Sequence, residues 1–271
     1  MKVTPLSPKI GAVISDITLN AINDDEFILL YQAFLKYKVL FFREQLLTPE
    51  EHLAVGRRFG ELAPIHPFFP NVKGAEQIIV IEVSKGNPPG KSYWHTDLTW
   101  LETPPKCSIL HAQHIPESGG DTIWTSMEAV FDSLSEDEKK KLRCLSCLHA
   151  LHAFEGSRYD KKDKNGASYV AEKSKEYPPV IHPMVVKHPE TNIEGLFINE
   201  QYTKKIVELE DQESQALLNK LFAIARKEEF HVRFQWQPNS IAIWDNRCTQ
   251  HFAVTDYGDQ PRKMHRVTIK G

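Results

Sequence analysis

The sequence predicts a mainly β protein with flanking helices, a sandwich or barrel rather than an alternating parallel sheet. Three observations carry this. Short β-like runs separated by turn signals dominate after Lys106, at 108–114, 121–124, 180–187, 195–199, 231–236, 241–244 and 264–269. One long helical stripe interrupts them at 212–227, with Leu217, Leu218, Leu221, Phe222 and Ile224 on its apolar side. Strands and helices do not alternate at the spacing that parallel βαβ units require.

The N-terminal third supplies the decoration. Residues 9–19 read as an early strand pair. Residues 24–36 carry Phe27, Leu30, Tyr31 and Phe34 at helical spacing, and Val39-Leu40-Phe41-Phe42 is a buried strand. Thr48-Pro49-Glu50-Glu51 is a capping box with proline in the first helical position, opening a helix that ends near Gly60. Residues 77–83 are strand-like, and Gly86-Asn87-Pro88-Pro89-Gly90 reads as a mobile loop. Residues 161–175, polar and Gly/Ser-containing, are expected to form a flexible loop. No repeat or boundary divides the chain, so one domain over 1–271 is expected.

Composition excludes several function classes. In 271 residues, 33 Lys+Arg face 36 Asp+Glu, a formal charge of -3, with no basic cluster to hold nucleic acid. No apolar run approaches the roughly 18 residues of a membrane span, and the N-terminus lacks a signal-peptide core. Four cysteines make no disulfide framework, so a cytoplasmic protein without nucleic-acid or membrane partners is expected. Cys144-x-x-Cys147-x-His149-x-x-His152 superficially resembles a zinc site. It follows a charged helix at 135–143, and on the strand expected there Cys147 and His149 face opposite to Cys144 and His152. Core residues are the better reading.

The chemistry concentrates in two places. Within Tyr93-Trp94-His95-Thr96-Asp97-Leu98-Thr99-Trp100, a strand would present His95 and Asp97 on one face. Such a pair with a second histidine makes the 2-His-1-carboxylate facial triad of a mononuclear Fe(II) oxygenase. Twelve histidines make a His-x-Asp triplet weak evidence alone, and zinc, manganese or no metal remain alternatives. Near the C-terminus a strand ends in Thr249-Gln250-His251, and Arg262-Lys263-Met264-His265-Arg266 follows. On a strand, Arg262, Met264 and Arg266 share a face, with the guanidiniums roughly 13 Å apart at about 3.3 Å per residue. If buried, each arginine needs an anion, and an enzyme binding two anionic molecules around one metal would supply both; an edge strand with solvated arginines is the bland alternative. Elsewhere His52 is expected to be exposed on its helix, and His111 and His114 to face opposite ways. His182 and His188 read as turn residues, His149 and His231 as satisfied strand histidines, and His265 points away from the arginines.

Taken together, Trp94-His95-Thr96-Asp97, Glu102-Thr103-Pro104-Pro105, Gly119-Gly120-Asp121-Thr122-Ile123-Trp124, Trp236-Gln237-Pro238-Asn239, Ile243-Trp244-Asp245-Asn246-Arg247, Thr249-Gln250-His251 and Met264-His265-Arg266-Val267-Thr268 resemble the taurine dioxygenase family. These are Fe(II)- and 2-oxoglutarate-dependent oxygenases related to taurine, alkylsulfate and phenoxyacetate dioxygenases. The resemblance runs from about Ile10 to Ile269 and implies a double-stranded β-helix (jelly-roll, cupin-like) core. It implies His95, Asp97 and His251 as iron ligands, and Arg262 with Thr122 as partners of the distal carboxylate of 2-oxoglutarate. Retention of Asp97 implies hydroxylation rather than halogenation.

The family's sulfonate-binding positions match His66 and Arg266, which implies a small anionic substrate. The implied reaction consumes O2 and 2-oxoglutarate and hydroxylates the carbon bearing the sulfonate of taurine or a relative. Sulfite, an aldehyde, succinate and CO2 would leave. An alkyl sulfate or aryloxy carboxylate is the alternative, because Phe69 and Lys91 stand where the taurine pattern has a tyrosine and an asparagine. A lysine facing a substrate ammonium is repulsive. Phe154 matches an aromatic that contacts the substrate chain. Family members are homo-oligomers, so a dimer or tetramer is implied.

Overall fold

The computed structural model describes residues 1–271. Its strands are β1 (Lys2–Pro5), β2 (Ala12–Ser15), β3 (Val39–Phe42), β4 (Asn71–Val72), β5 (Ala75–Val83), β6 (Cys107–His114), β7 (Thr122–Ser126), β8 (Ser146–His149), β9 (Val180–Pro183), β10 (Val185–Lys187), β11 (Glu194–Leu196), β12 (Thr203–Ile206), β13 (His231–Phe234), β14 (Ile241–Asp245), β15 (Thr249–Ala253) and β16 (Arg262–Ile269). The helices are α1 (Asp24–Tyr37), α2 (Pro49–Phe59), α3 (Met127–Asp132), α4 (Glu136–Leu142), α5 (Tyr169–Glu176) and α6 (Asp211–Ala225). None is long and apolar enough to cross a membrane.

Eight strands form one sheet in the order β1-β2-β3-β14-β6-β16-β5-β4, and β13-β7-β15 form a second. The two face each other as a jelly roll. Strand β3 shows why four consecutive residues are apolar: it is buried on both faces. Leu40 and Phe42 pack outward with Ile109, Ile241, Ile243 and the residues of α1 and α2. Val39 and Phe41 pack inward with Leu110, Trp244 and Met264 against Trp124 and Phe234 of the small sheet. A third cluster joins α3 and α6 to β8, β11 and β12.

Local signals place most elements. The Thr48 capping box forms, with Pro49 at the first helical position, and Gly60 ends α2. Further capping boxes open α1 at Asn23 and α4 at Ser135. Gly56 lets α2 lie close on β16, since a Cβ there would meet Val267 Cγ1 at 2.8 Å. The early strand pair joins 2–5 to 12–15 rather than lying within 9–19. Helix α5, whose N-cap Ser168 accepts from the Ala171 N–H, occupies much of the segment expected to be a flexible loop. Cys147 and His149 are buried in the core, Cys144 is exposed, and His149 Nδ1 bonds Thr99 Oγ1 at 2.8 Å, so no zinc site forms there.

His52 corrects an expectation. It lies with Val55, Gly56 and Phe59 on the buried i, i+3, i+4, i+7 stripe of α2, and is 1% exposed. Its ring meets that of His111 edge-on at 5.6 Å, on the outer face of the large sheet, where the side chain of His265 also points. Burial pushes His52 down to about 3 and His111 to about 4, and His149 to about 3 on the other side of the molecule. These groups stay neutral in the folded chain while their unfolded counterparts protonate near pH 6.5. The unfolded state therefore binds more protons below pH 6.5, and stability present above that pH is lost as pH falls toward 4. Each such histidine contributes about 1.4 kcal/mol per pH unit in that window. Urea unfolding at stepped pH tests this, and His52→Leu should flatten the slope.

Candidate active site

The segment 93–100 is not a strand. His95 makes a single bridge to His251 in the middle of β15, its N–H donating to His251 O (3.0 Å) and His251 N–H donating back (2.8 Å). The two imidazoles consequently stand 4.0 Å apart between centroids. The chain then turns through Leu98, whose φ is +54°, and the turn brings Asp97 toward both rings. Asn246, just beyond β14, clamps this turn: its Oδ1 accepts the Asp97 N–H (2.8 Å) and its Nδ2 donates to Asp97 O (2.9 Å) and Pro105 O (3.1 Å). A bridge, a turn and an amide clamp therefore do what strand alternation was expected to do.

One ligand atom from each of His95, Asp97 and His251 lies within 4.8 Å of the others. His95 Nδ1 lies 2.9 Å from Tyr93 O, an acceptor only, so the proton is assigned to Nδ1 and the Nε2 lone pair is free. His251 Nδ1 is buried without a partner. Burial lowers both histidines, that of His251 far below its ordinary value, so both are neutral as ligation requires. Burial would raise the Asp97 carboxyl, but Arg266 and the two histidines outweigh it and hold it well below the usual carboxylate range. Asp97 Oδ1 accepts from Arg266 Nη1 at 2.7 Å and Oδ2 from Ser108 Oγ at 2.9 Å. Two neutral nitrogens and one carboxylate within 4.8 Å of one another suit a divalent first-row metal.

Strand β16 alternates as expected, with Arg262, Met264 and Arg266 buried on the inner face. Nε of each arginine is buried without a partner. Arg262 has no carboxylate at ion-pair distance, and burial pushes its guanidinium down. Thr122 Oγ1 accepts from Trp236 Nε1 (3.0 Å), which leaves its hydroxyl hydrogen free to donate. A cavity of about 210 Å³ is lined by His95, His251, Thr122, Arg262 and Arg266, together with Phe69, Lys91 and Phe154. His66 does not line it. Its ring packs on Phe69 at 4.7 Å, and it borders a neighbouring hollow that also reaches Trp100 and Tyr177. Burial, then Arg266, pushes His66 down to about 3; its Nδ1 accepts the Phe68 N–H (3.1 Å), so the proton sits on Nε2.

Sequence reasoning missed Tyr93, Arg158, Tyr159, Gln201, Trp244 and Tyr257 in the cavity wall. Trp244 was legible, being on the inward face of β14, whereas Arg158 and Tyr159 sit in irregular chain without any periodic signal. A second convergence, His188, Asp245 and Cys248, is an ion-pair network rather than a metal site. Asp245 is held by His188 Nε2 (3.0 Å) and by Arg247 Nε (2.8 Å) and Nη2 (2.6 Å), and burial pushes the Cys248 thiol up. His188 is thus a buried partner of Asp245 rather than a turn residue. His182, on β9, is likewise buried, with Nε2 2.9 Å from Thr99 O. The network steadies the corner that carries Asn246.

Comparison with known proteins agrees with this geometry. The model of the taurine catabolism dioxygenase TauD, TfdA family matches residues 2–268. An alkylsulfatase of Acinetobacter baylyi is 35% identical, covering 100% of this chain and 85% of that protein. An alpha-ketoglutarate-dependent sulfate ester dioxygenase of Pseudomonas putida is 34% identical over 100% of this chain and 90% of its own. The crystal structure of a taurine dioxygenase from Burkholderia xenovorans superposes with a TM-score of 0.85 at 34% identity, covering 100% of this chain and 89% of that one. The chain belongs to the taurine catabolism dioxygenase TauD, TfdA family and is a 2-oxoglutarate-dependent dioxygenase whose chemistry uses Fe(II) and O2.

Proposed function

We propose that this enzyme, acting through one domain over 1–271, hydroxylates the carbon next to the sulfo group of a small alkyl sulfate or sulfonate lacking an ammonium group. The observation that carries this is the pair of buried arginines flanking the triad, each with an unsatisfied Nε, in a cavity whose lining includes no carboxylate. A planar guanidinium binds a carboxylate or sulfo group in a bidentate way; Arg262 has no counter-charge in the protein, and Arg266, paired with Asp97 through Nη1, keeps an unpaired Nε–H for a second anion. An ammonium would find no counter-charge there and would meet Lys91 and Arg158 in the wall. That moves taurine itself behind sulfate esters and simpler sulfonates; the names of the alkylsulfatase and the sulfate ester dioxygenase point the same way, whereas that of the Burkholderia xenovorans structure points to taurine. An aryloxy carboxylate is the competing reading, favoured by Phe69 and Phe154 in the wall.

In this reading His95, Asp97 and His251 hold the metal. Bound there, Fe(II) supplies oxygen activation coupled to decarboxylation of 2-oxoglutarate to succinate and CO2. Arg262 and the Thr122 hydroxyl anchor the distal carboxylate of 2-oxoglutarate. Arg266 turns a free edge toward the sulfo group while its Nη1 remains on Asp97, and His66, outside the cavity, supports the Phe69 ring from behind. Phe69 and Phe154 exclude water and align the alkyl chain, so that one C–H bond faces the metal. One oxygen atom of O2 enters succinate and the other the C–H bond. The resulting α-hydroxy sulfate or sulfonate expels hydrogen sulfate or hydrogen sulfite and leaves an aldehyde.

Visible absorption of the anaerobic Fe(II) and 2-oxoglutarate complex tests the assignment. A charge-transfer band that shifts on adding an alkyl sulfate and ignores taurine is expected. A band that shifts only with aryloxyacetates would replace the sulfo reading, and no band at confirmed metal occupancy would remove the roles given to the triad and Arg262.

A further inference from the structure

We propose that the substrate carries a second anionic group at the end remote from its sulfo group, and that Arg158 and Lys91 at the cavity mouth bind it. The inference rests on the sulfo reading and names the substrate class more narrowly. The inner cavity opens into an outer hollow of about 560 Å³, and Lys91, Phe154, Arg158 and Tyr159 line both. Arg158 is held in place. Its Nη1 donates to Asn87 Oδ1 and Pro88 O, each at 2.9 Å, and its Nη2 donates to Tyr159 OH at 2.8 Å. All three acceptors are neutral, so the guanidinium keeps its full charge, and Nε–H and one Nη2–H have no protein partner. Lys91 Nζ sits 4.8 Å from the Tyr93 ring centroid. Neither cation has a carboxylate at ion-pair distance, and Glu155, which borders only the outer hollow, pairs with neither.

The charges around the cavity then divide by depth. The distal carboxylate of 2-oxoglutarate answers Arg262, and the sulfo group answers Arg266. Nothing in the protein or in a monoanionic substrate answers Arg158 and Lys91. Phe69, Phe154 and Tyr159 lie between the two ends and fit the apolar chain of a molecule anionic at both. Because Arg158 is already fixed by neutral acceptors, binding an anion costs little further side-chain ordering. A guanidinium serving only to tie the 86–90 loop to the 153–159 segment would need no such cationic neighbour in the wall.

The loaded enzyme is assayed by succinate formation with three substrates: hexyl sulfate, its analogue with a carboxylate on the far carbon, and the analogue with an ammonium there. The carboxylate analogue is expected to exceed hexyl sulfate in kcat/KM by about two- to fivefold, the worth of a solvent-exposed ion pair, Arg158 and Lys91 both being exposed, with the ammonium analogue lowest. The preference should shrink with added salt and fall toward unity in Arg158→Gln and Lys91→Gln. Equal or poorer turnover of the carboxylate analogue by the unaltered enzyme overturns the inference while leaving the sulfo reading intact. A preference that survives in both variants also overturns it, as does a uniform loss with all three substrates, which would mark Arg158 as a loop tie. Failure of every sulfate and sulfonate while an aryloxyacetate is turned over removes the sulfo reading and the inference with it.

Discussion

Asp97→Ala is expected to abolish Fe(II) binding and turnover, and also to destabilise the metal-free protein by about 3–5 kcal/mol. The second effect follows because Asp97 is the carboxylate partner of Arg266, and both are nearly fully buried. Removing the carboxylate leaves a buried guanidinium without its counter-charge, and Ser108 Oγ loses its acceptor as well. Urea unfolding in the presence of a chelator reads the stability, and anaerobic Fe(II) titration reads the metal. Unchanged stability would show that Arg266 reaches other partners when Asp97 is gone; undiminished Fe(II) affinity would remove Asp97 from the ligand set. Asn246→Ala separates the ligand from its support. The carboxylate and its arginine remain, but the Asp97 backbone loses the donor and acceptor that fix the turn. Fe(II) affinity should fall by about 10- to 100-fold, the usual consequence of losing a group that orients a metal ligand.

Arg262→Gln and Arg266→Gln should fail differently. Truncating one partner of a buried, hydrogen-bonded charge pair costs about 2–5 kcal/mol, so Arg262→Gln should weaken 2-oxoglutarate by about 30-fold or more. The ligand-free protein should lose no stability, because Arg262 has no protein carboxylate to abandon and its burial is costly. Arg266→Gln should weaken the sulfo substrate by a similar factor, yet it also strips Asp97 of its cation. Its carboxyl pKa should rise, and stability of the metal-free form should fall. Titrating each ligand against both variants, with denaturation of each ligand-free protein, separates the two arginines. Equal losses for both ligands in both variants would sink the division of labour.

Much of this was readable because local physics and global fold agree. The capping box at Thr48 opens α2, and the all-apolar run 39–42 is a strand buried on both faces. The alternation 262-264-266 puts two arginines inside, and their cost of burial implies two anions before any cavity is seen. The misreadings have physical causes. The polar type of His52 predicts exposure, but its place on the stripe 52-55-56-59 prevails, because the packing of α2 on β16 buries that stripe. The 161–175 stretch is polar, yet a Ser168 cap suffices to start α5 there.

The sequence alone determined the mainly β class and the two inward arginines, which depend on residue type and on a period of two or 3.6 along the chain, while the three metal-binding candidates were legible through the motifs that resemble the family. The tertiary structure alone decided how His95 and Asp97 converge, because the bridge to His251 and the Asn246 clamp on the Asp97 backbone, which hold the positive-φ turn at Leu98, are contacts across 149 residues or more. It also decided that Arg266 is shared with Asp97, that His66 stands behind Phe69, and that Arg158 reaches the cavity mouth. Irregular segments carry no periodicity, so the partners of their side chains are set by packing between distant parts of the chain rather than by neighbours in sequence.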